Sequence, residues 1–154
     1  MYMQPDLILE LGTSLGISAA YLSSRDKSNL ITVEGDPTVA TIASEWLREM
    51  NRSNVTVVHD TFRHYLNNDQ PDADLAFIDG DHTYEGTMWY SEYFLSKPHT
   101  PDLLVFDDIY WSAGMTRAWK ELCERKEFIT IDLFRLGLLF PKRDQEPEHF
   151  VLKF

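Results

Sequence analysis

The sequence predicts an α/β domain: a doubly wound, mostly parallel seven-stranded sheet in a three-layer α/β/α arrangement, with antiparallel strands at its C-terminal edge. Three observations carry this expectation. Short apolar runs of strand length alternate with amphipathic segments of helical period through most of the chain. The final stretch keeps the apolar runs and loses the helical pattern, as antiparallel additions to a sheet do. A length of 154 residues with 44% hydrophobic and 25% charged side chains suits one ordinary globular domain, expected to span residues 1–154.

The elements follow in order. Leu7–Leu11 reads as a buried strand and Gly12–Gly16 as a tight turn, with a helix from about Leu15 to Ser24. Leu30–Val33 is a second strand, and Asp36-Pro37 supplies an N-cap and a first-turn proline. Behind it Val39, Ile42, Ala43, Trp46, Leu47 and Met50 make an unbroken helical stripe. Val55–Val58 is strand three, with a short helix marked by Phe62, Tyr65 and Leu66. Leu75–Ile78 is strand four, followed by a helix over Tyr84–Leu95 whose Trp89, Tyr90, Tyr93 and Phe94 serve packing. Leu103–Phe106 is strand five, and Met115, Ala118, Trp119 and Leu122 face the core from the next helix. Phe128–Leu133, Gly137–Phe140 and Phe150–Phe154 close the chain as strands, with residues 141–148 as a mobile loop. Five β-α units imply right-handed crossovers in an open sheet.

Charge excludes some partners. Fourteen Lys and Arg against 25 Asp and Glu leave a net charge of −11, which repels a phosphate backbone, so no nucleic-acid partner is expected. No apolar run reaches the ~18 residues of a membrane span, so no membrane partner is expected either. A single cysteine, Cys123, permits no internal disulfide and points to the cytoplasm.

Ligands of open α/β sheets bind beyond the carboxyl ends of the strands. Each of those ends carries an acid here: Glu10 and the Gly12–Gly16 turn, Glu34, Asp60, Asp79 with Asp81 and His82, and Asp107-Asp108. Carboxylates gathered at one rim repel each other and call for a cation, a cationic ligand or a retained proton. The turn lacks the full G-x-G-x-x-G pattern and the Lys-Ser/Thr of a phosphate loop, which favours a nucleotide ligand without phosphates. Glu34 lies at the end of strand two, placed to accept from both hydroxyls of a ribose. Asp60 or Thr61 stands where an adenine edge would be reached.

Glu10-x-Gly12-x-x-x-Gly16, Glu34 and the acids after strands four and five resemble the class I S-adenosylmethionine-dependent methyltransferases, over essentially the whole chain. The resemblance is nearest to small-molecule O-methyltransferases of the catechol O-methyltransferase-like kind. It implies a Rossmann-like fold, S-adenosylmethionine as cofactor, and cofactor contacts from Glu10, Gly12, Thr13, Ser14, Gly16, Glu34, Asp60, Thr61 and the backbone around Asp79. It further implies a divalent metal on Asp79, Asp107 and Asp108. An all-oxygen set suits Mg²⁺, Mn²⁺ or Ca²⁺ rather than zinc; the alternative for Asp107-Asp108 is a turn or a cap on the next helix.

Catechol-type enzymes carry a lysine base three residues after the first metal aspartate, where this chain has His82. A histidine titrates nearer neutrality and suits proton removal there, so His82 and Asp79 are the catalytic candidates; the alternative for His82 is a loop histidine bonded to Asp81 or water. Tyr84, Tyr110 and Trp111 are placed to wall a flat acceptor. His59, His64, His99 and His149 read as structural or solvated. The helices that related enzymes set before the first strand are missing from the pattern. The expected function is metal-assisted O-methylation of a small hydroxylated molecule. The competing readings are a silent cofactor-binding or oligomerisation module and, less favoured, a nicotinamide-dependent oxidoreductase. Exposed edge strands leave room for a homodimer.

Overall fold

The computed structural model describes residues 3–24, 27–69, 71–141 and 146–153. Thirteen elements follow one another among the described residues: β1 (Leu7–Leu11), α1 (Ile17–Leu22), β2 (Asn29–Glu34), α2 (Pro37–Glu49), β3 (Val55–His59), α3 (Phe62–Asn68), β4 (Leu75–Ile78), α4 (Tyr84–Leu95), β5 (Leu103–Phe106), α5 (Ala113–Glu124), β6 (Phe128–Asp132), β7 (Gly137–Pro141) and β8 (Glu148–Val151). The strands form one mixed sheet in the order β3-β2-β1-β4-β5-β7-β6-β8. It has eight strands among the described residues, so all eight apolar runs join one sheet where seven strands were expected. The chain divides into two compact units, Met1–Ala76 and Phe77–Phe154.

In the first unit β1, β2 and β3 run parallel, with Leu11 level with Val33 and Glu34 level with His59. Their carboxyl ends therefore deliver the Gly12–Gly16 turn, Glu34 and Asp60 to one edge. Ile8, Ala19, Ala20, Leu30 and Leu47 are buried together, with Trp46, Val55 and Val57 packed against them. Burying Ile8, Leu30 or Leu47 stabilises the fold by about 1.5–3 kcal/mol each. Asp36 caps α2 as expected, accepting from the Thr38 and Val39 N–H groups at 2.8 and 3.0 Å, with Pro37 opening the helix. The helix after β1 is shorter than expected. Gly16 sits at φ +79° as its N-cap, so helical geometry begins only at Ile17, and Leu15 is exposed.

In the second unit α4 occupies the expected residues, and Thr83 caps it by accepting from the Gly86 N–H at 3.0 Å. The α5 stripe of Met115, Ala118, Trp119 and Leu122 is fully buried. β7 lies antiparallel between β5 and β6, placing Phe106, Gly137 and Asp132 level with one another. The edge strand departs from expectation: β8 spans Glu148–Val151 rather than 150–154, and it runs parallel to β6. β7 reverses the chain after β6, so β8 regains the direction of β6. Of the loop expected at 141–148, Pro141 belongs to β7 and Glu148 to β8, and residues 142–145 lie outside the described residues. No helix among the described residues is long and apolar enough to cross a membrane.

Candidate functional site

The first unit presents a turn whose hydrogen bonds are largely satisfied internally. The Gly12 and Thr13 N–H groups both reach the Val33 carbonyl, at 3.0 and 3.3 Å, and the Gly16 N–H reaches the Thr13 carbonyl at 2.8 Å. Ser14, held at φ +47°, donates its N–H to Glu34 Oε2 at 2.9 Å. A loop with its donors so engaged offers no cradle for phosphate oxygens, which demand several free N–H groups. The arrangement fits a ligand without phosphates, as the glycine spacing predicts. A side chain at Gly16 would be strained, because the backbone is at φ +79° and a Cβ there would stand 3.2 Å from Leu47.

Glu34 has a second bond, accepting the Asp36 N–H on Oε1 at 3.0 Å. It thus links the β1 turn to the start of α2 while staying half-exposed at the rim. Glu10 is fully buried, and its Oε2 accepts the Thr32 hydroxyl at 2.5 Å, which lies 2.6 Å from the Thr13 hydroxyl. Glu10 and Thr13 therefore brace the turn from beneath, while Ser14 and Glu34 stand at its surface. Asp60 accepts the Thr61 N–H at 2.7 Å and lies 2.6 Å from His64 Nδ1, and this histidine lowers the Asp60 pKa. Thr61 caps α3 by accepting the His64 N–H at 3.4 Å. His64, read from sequence as structural or solvated, is tied to Asp60, and its pKa rises in response.

The second unit gathers the other acids. The Asp107 N–H bonds to the Ile78 carbonyl at 3.0 Å, so the loops after β4 and β5 leave side by side. Burial pushes the Asp79 carboxyl up to about 6, reinforced by the charge of Asp107 and a hydrogen bond to its side chain. His82 Nε2 lies 3.7 Å from Asp79 Oδ1. Asp81 is occupied elsewhere, accepting the Thr83 hydroxyl at 3.0 Å and the Tyr90 hydroxyl at 3.1 Å. Asp107-Asp108 does not cap α5, since Ser112 does so by accepting the Met115 N–H at 3.1 Å.

Asp108 is drawn instead to a residue that no sequence pattern singled out: Arg135 reaches Asp108 Oδ1 at 3.0 Å. Among the described residues no group of three His, Cys, Asp or Glu side chains is assembled to hold a metal ion. Asp79, Asp107 and Asp108, as arranged, do not form such a set. Asp132 and Phe134 were missed in the same way. The Tyr110 hydroxyl bonds to Asp132 Oδ2, and its ring lies 6.1 Å from that of Phe134, an interaction between loops far apart in sequence.

His82, Tyr84, Trp111, Ser112 and Arg117 line a groove of about 590 Å³. Tyr84 donates to Glu121 at 2.6 Å, and the Arg117 guanidinium lies 3.8 Å over its ring. Trp111 is 73% exposed, a free apolar face beside His82. Tyr110 does not line this groove; its contacts turn it toward Asp132 and Phe134. A second groove, of about 500 Å³ with Arg48 and Arg52 in its wall, lies against the C-terminal half of α2, away from the helix start that Glu34 holds.

The raised Asp79 value gives a signed pH prediction. Its folded pKa of about 6 lies above the usual 3.8, so the folded state holds this proton more tightly than the unfolded chain does. The acid costs nothing below pH ~4, an increasing amount between ~4 and ~6, and its full cost above that, on the order of 1–2 kcal/mol. Asp79→Asn is expected to raise the melting temperature at pH 7.5 and leave it nearly unchanged at pH 4. An equal shift at both pH values would show that the carboxylate carries no such cost.

Known proteins match this chain in sequence pattern and in fold. A family model described as a methyltransferase domain matches residues 9–109, more than half of the chain and a span containing both sets of acids. No curated protein matches the chain. Among solved structures, a methyltransferase of Podospora anserina with bound S-adenosylhomocysteine superposes with a TM-score of 0.76 at 17% identity, covering 90% of this chain and 73% of its own. An O-methyltransferase of tomaymycin synthesis from Streptomyces achromogenes, in complex with S-adenosylmethionine, gives 0.72 at 20% identity, covering 91% and 74%. A Bacillus cereus O-methyltransferase in complex with S-adenosylhomocysteine gives 0.73 at 19%, covering 90% and 74%. These structural likenesses are likenesses of fold, and the family match goes further: the chain belongs to the methyltransferase-domain family.

Proposed function

We propose that the protein is an S-adenosylmethionine-dependent O-methyltransferase acting on a small hydroxylated molecule. The observation that carries this reading is the family match across residues 9–109, which takes in a turn with its N–H donors satisfied, Glu34 at the rim and the Asp79–His82 pair. When bound, S-adenosylmethionine supplies an electrophilic methyl group. Gly12, Thr13, Ser14 and Gly16 form the cofactor's bed, stiffened from beneath by Glu10. Glu34 has one backbone N–H on each carboxylate oxygen and keeps lone pairs for the ribose hydroxyls. Asp60 and Thr61 stand beside the adenine.

His82 takes the proton of the acceptor hydroxyl, and Asp79, 3.7 Å away, favours the imidazolium that results. Tyr84 and Trp111 flank the acceptor in the groove that His82 shares. A stationary acceptor oxygen held in line removes much of the entropic barrier to transfer. The polypeptide acts as one methyltransferase domain in the cytoplasm, with no nucleic-acid or membrane partner.

Calorimetric titration with S-adenosylhomocysteine tests the cofactor half of this reading. Saturable micromolar binding at one site per chain is the expected result. Absence of binding overturns the reading and returns the protein to the class of silent modules. The oxidoreductase reading is checked in parallel by NADH fluorescence, for which no change is expected.

A further inference from the structure

The turn between β6 and β7 is built to hold one side chain in place. It is closed by the Leu133 N–H on the Leu136 carbonyl at 2.8 Å and the Arg135 N–H on the Leu133 carbonyl at 2.9 Å. Asp132 accepts the Phe134 N–H at 2.8 Å on one oxygen and the Tyr110 hydroxyl on the other. The Ile109 N–H then bonds to the Arg135 carbonyl at 3.2 Å, fastening the turn to the very loop that bears Asp107 and Asp108. Two residues in this clasp, Asp108 at φ +51° and Phe134 at φ +71°, occupy the left-handed region. Such conformations persist only where the surroundings enforce them. What they secure is the approach of Arg135 to Asp108 at 3.0 Å.

We propose that Arg135 is the resident cation of the acidic rim: its guanidinium holds Asp108 and keeps Asp79, Asp107 and Asp108 from closing on a divalent ion. The argument rests on the donor arrangement. Asp79 and Asp107 are hydrogen-bonded to each other, and a hard cation needs further oxygens, of which Asp108, whose charge Asp79 also feels, is an acidic source held by Arg135. A guanidinium is permanently charged and binds carboxylates directionally, so it offsets rim charge without an exchangeable ion. The site then runs with an arginine where the family resemblance implies a metal. This deepens the proposed function by stating which cation accompanies the acceptor, and it rests on that reading only for its catalytic meaning.

Mn²⁺ binding to the full chain, followed by electron paramagnetic resonance, tests the proposal without any methyl acceptor. Wild type and Arg135→Lys are expected to show only weak, millimolar association. Arg135→Gln is expected to bind Mn²⁺ at least ~10-fold more tightly, and adding Asp107→Asn to it should abolish the gain. Arg135 is 72% exposed at its side chain, so truncation leaves the core intact; Arg135→Ser provides a second truncation with the same expected gain. Wild-type binding as tight as that of Arg135→Gln overturns the proposal, as does a lack of gain in both truncations. Failure of S-adenosylhomocysteine binding would overturn the cofactor reading alone and leave the Mn²⁺ outcome to stand by itself.

Discussion

Glu34→Ala is expected to weaken S-adenosylhomocysteine binding by ~1–3 kcal/mol, or ~5–150-fold in Kd, and to lower the melting temperature as well. The double effect follows from the geometry. One carboxylate oxygen holds the Ser14 N–H at 2.9 Å and the other holds the Asp36 N–H at 3.0 Å, so one side chain ties the β1 turn to the start of α2. Removing it orphans two backbone donors and frees Ser14 from its left-handed conformation, so on the proposed reading the cofactor's bed would loosen as the ribose acceptor is lost. Glu34→Gln is a stringent control. Its amide oxygen can serve one of the two N–H groups, while its NH₂ meets the other donor to donor, so affinity should still fall. Titration calorimetry and thermal melting on the same samples separate the roles. A fall in melting temperature with unchanged affinity would make Glu34 a purely structural link.

Gly137→Ala is expected to destabilise the protein by about 2–3 kcal/mol, which corresponds to a fall of ~5–10 °C in Tm for a domain of this size. A Cβ at Gly137 would lie 2.7 Å from two ring carbons of Trp119 and 2.8 Å from a third. That ring is the largest fully buried side chain in the protein, and it lies 6.2 Å from the Phe106 ring. With that ring buried, either β7 or α5 must give way. Gly137 is level with both Phe106 and Asp132, and a shift of β7 therefore also disturbs the clasp that presents Arg135. Thermal melting by circular dichroism checks the prediction. The double variant Gly137→Ala/Trp119→Phe should recover part of the loss, since the smaller ring vacates the space. An unchanged melting temperature in Gly137→Ala would show that the strand yields at no cost.

What local chemistry controls was legible along the chain. The Asp36-Pro37 start of α2, the four apolar residues of the α5 stripe, and the bounds of β4, α4 and β5 were all readable, because capping, helical periodicity and apolar run length act within a few residues. The glycine turn was legible too, though its consequence for α1 was not. Whether the helix begins before Gly16 or after it depends on a backbone angle, and at φ +79° Gly16 becomes its N-cap.

The amino-acid sequence by itself determined the alternating α/β class, the carboxyl-end placement of the acids and the kinship to methyltransferase domains, since each is a matter of order and spacing. Only the tertiary structure decided what those acids touch. It turned Asp108 to Arg135, Tyr110 to Asp132 and Tyr84 to Glu121, with partners 27, 22 and 37 residues away. It also decided that β8 pairs parallel with β6. Strand partners and long-range ion pairs are selected by the register of the whole sheet and by which loops it brings level, and no window of sequence contains that information. A carboxylate's type and position are written in the chain, whereas its counter-charge is chosen by the fold.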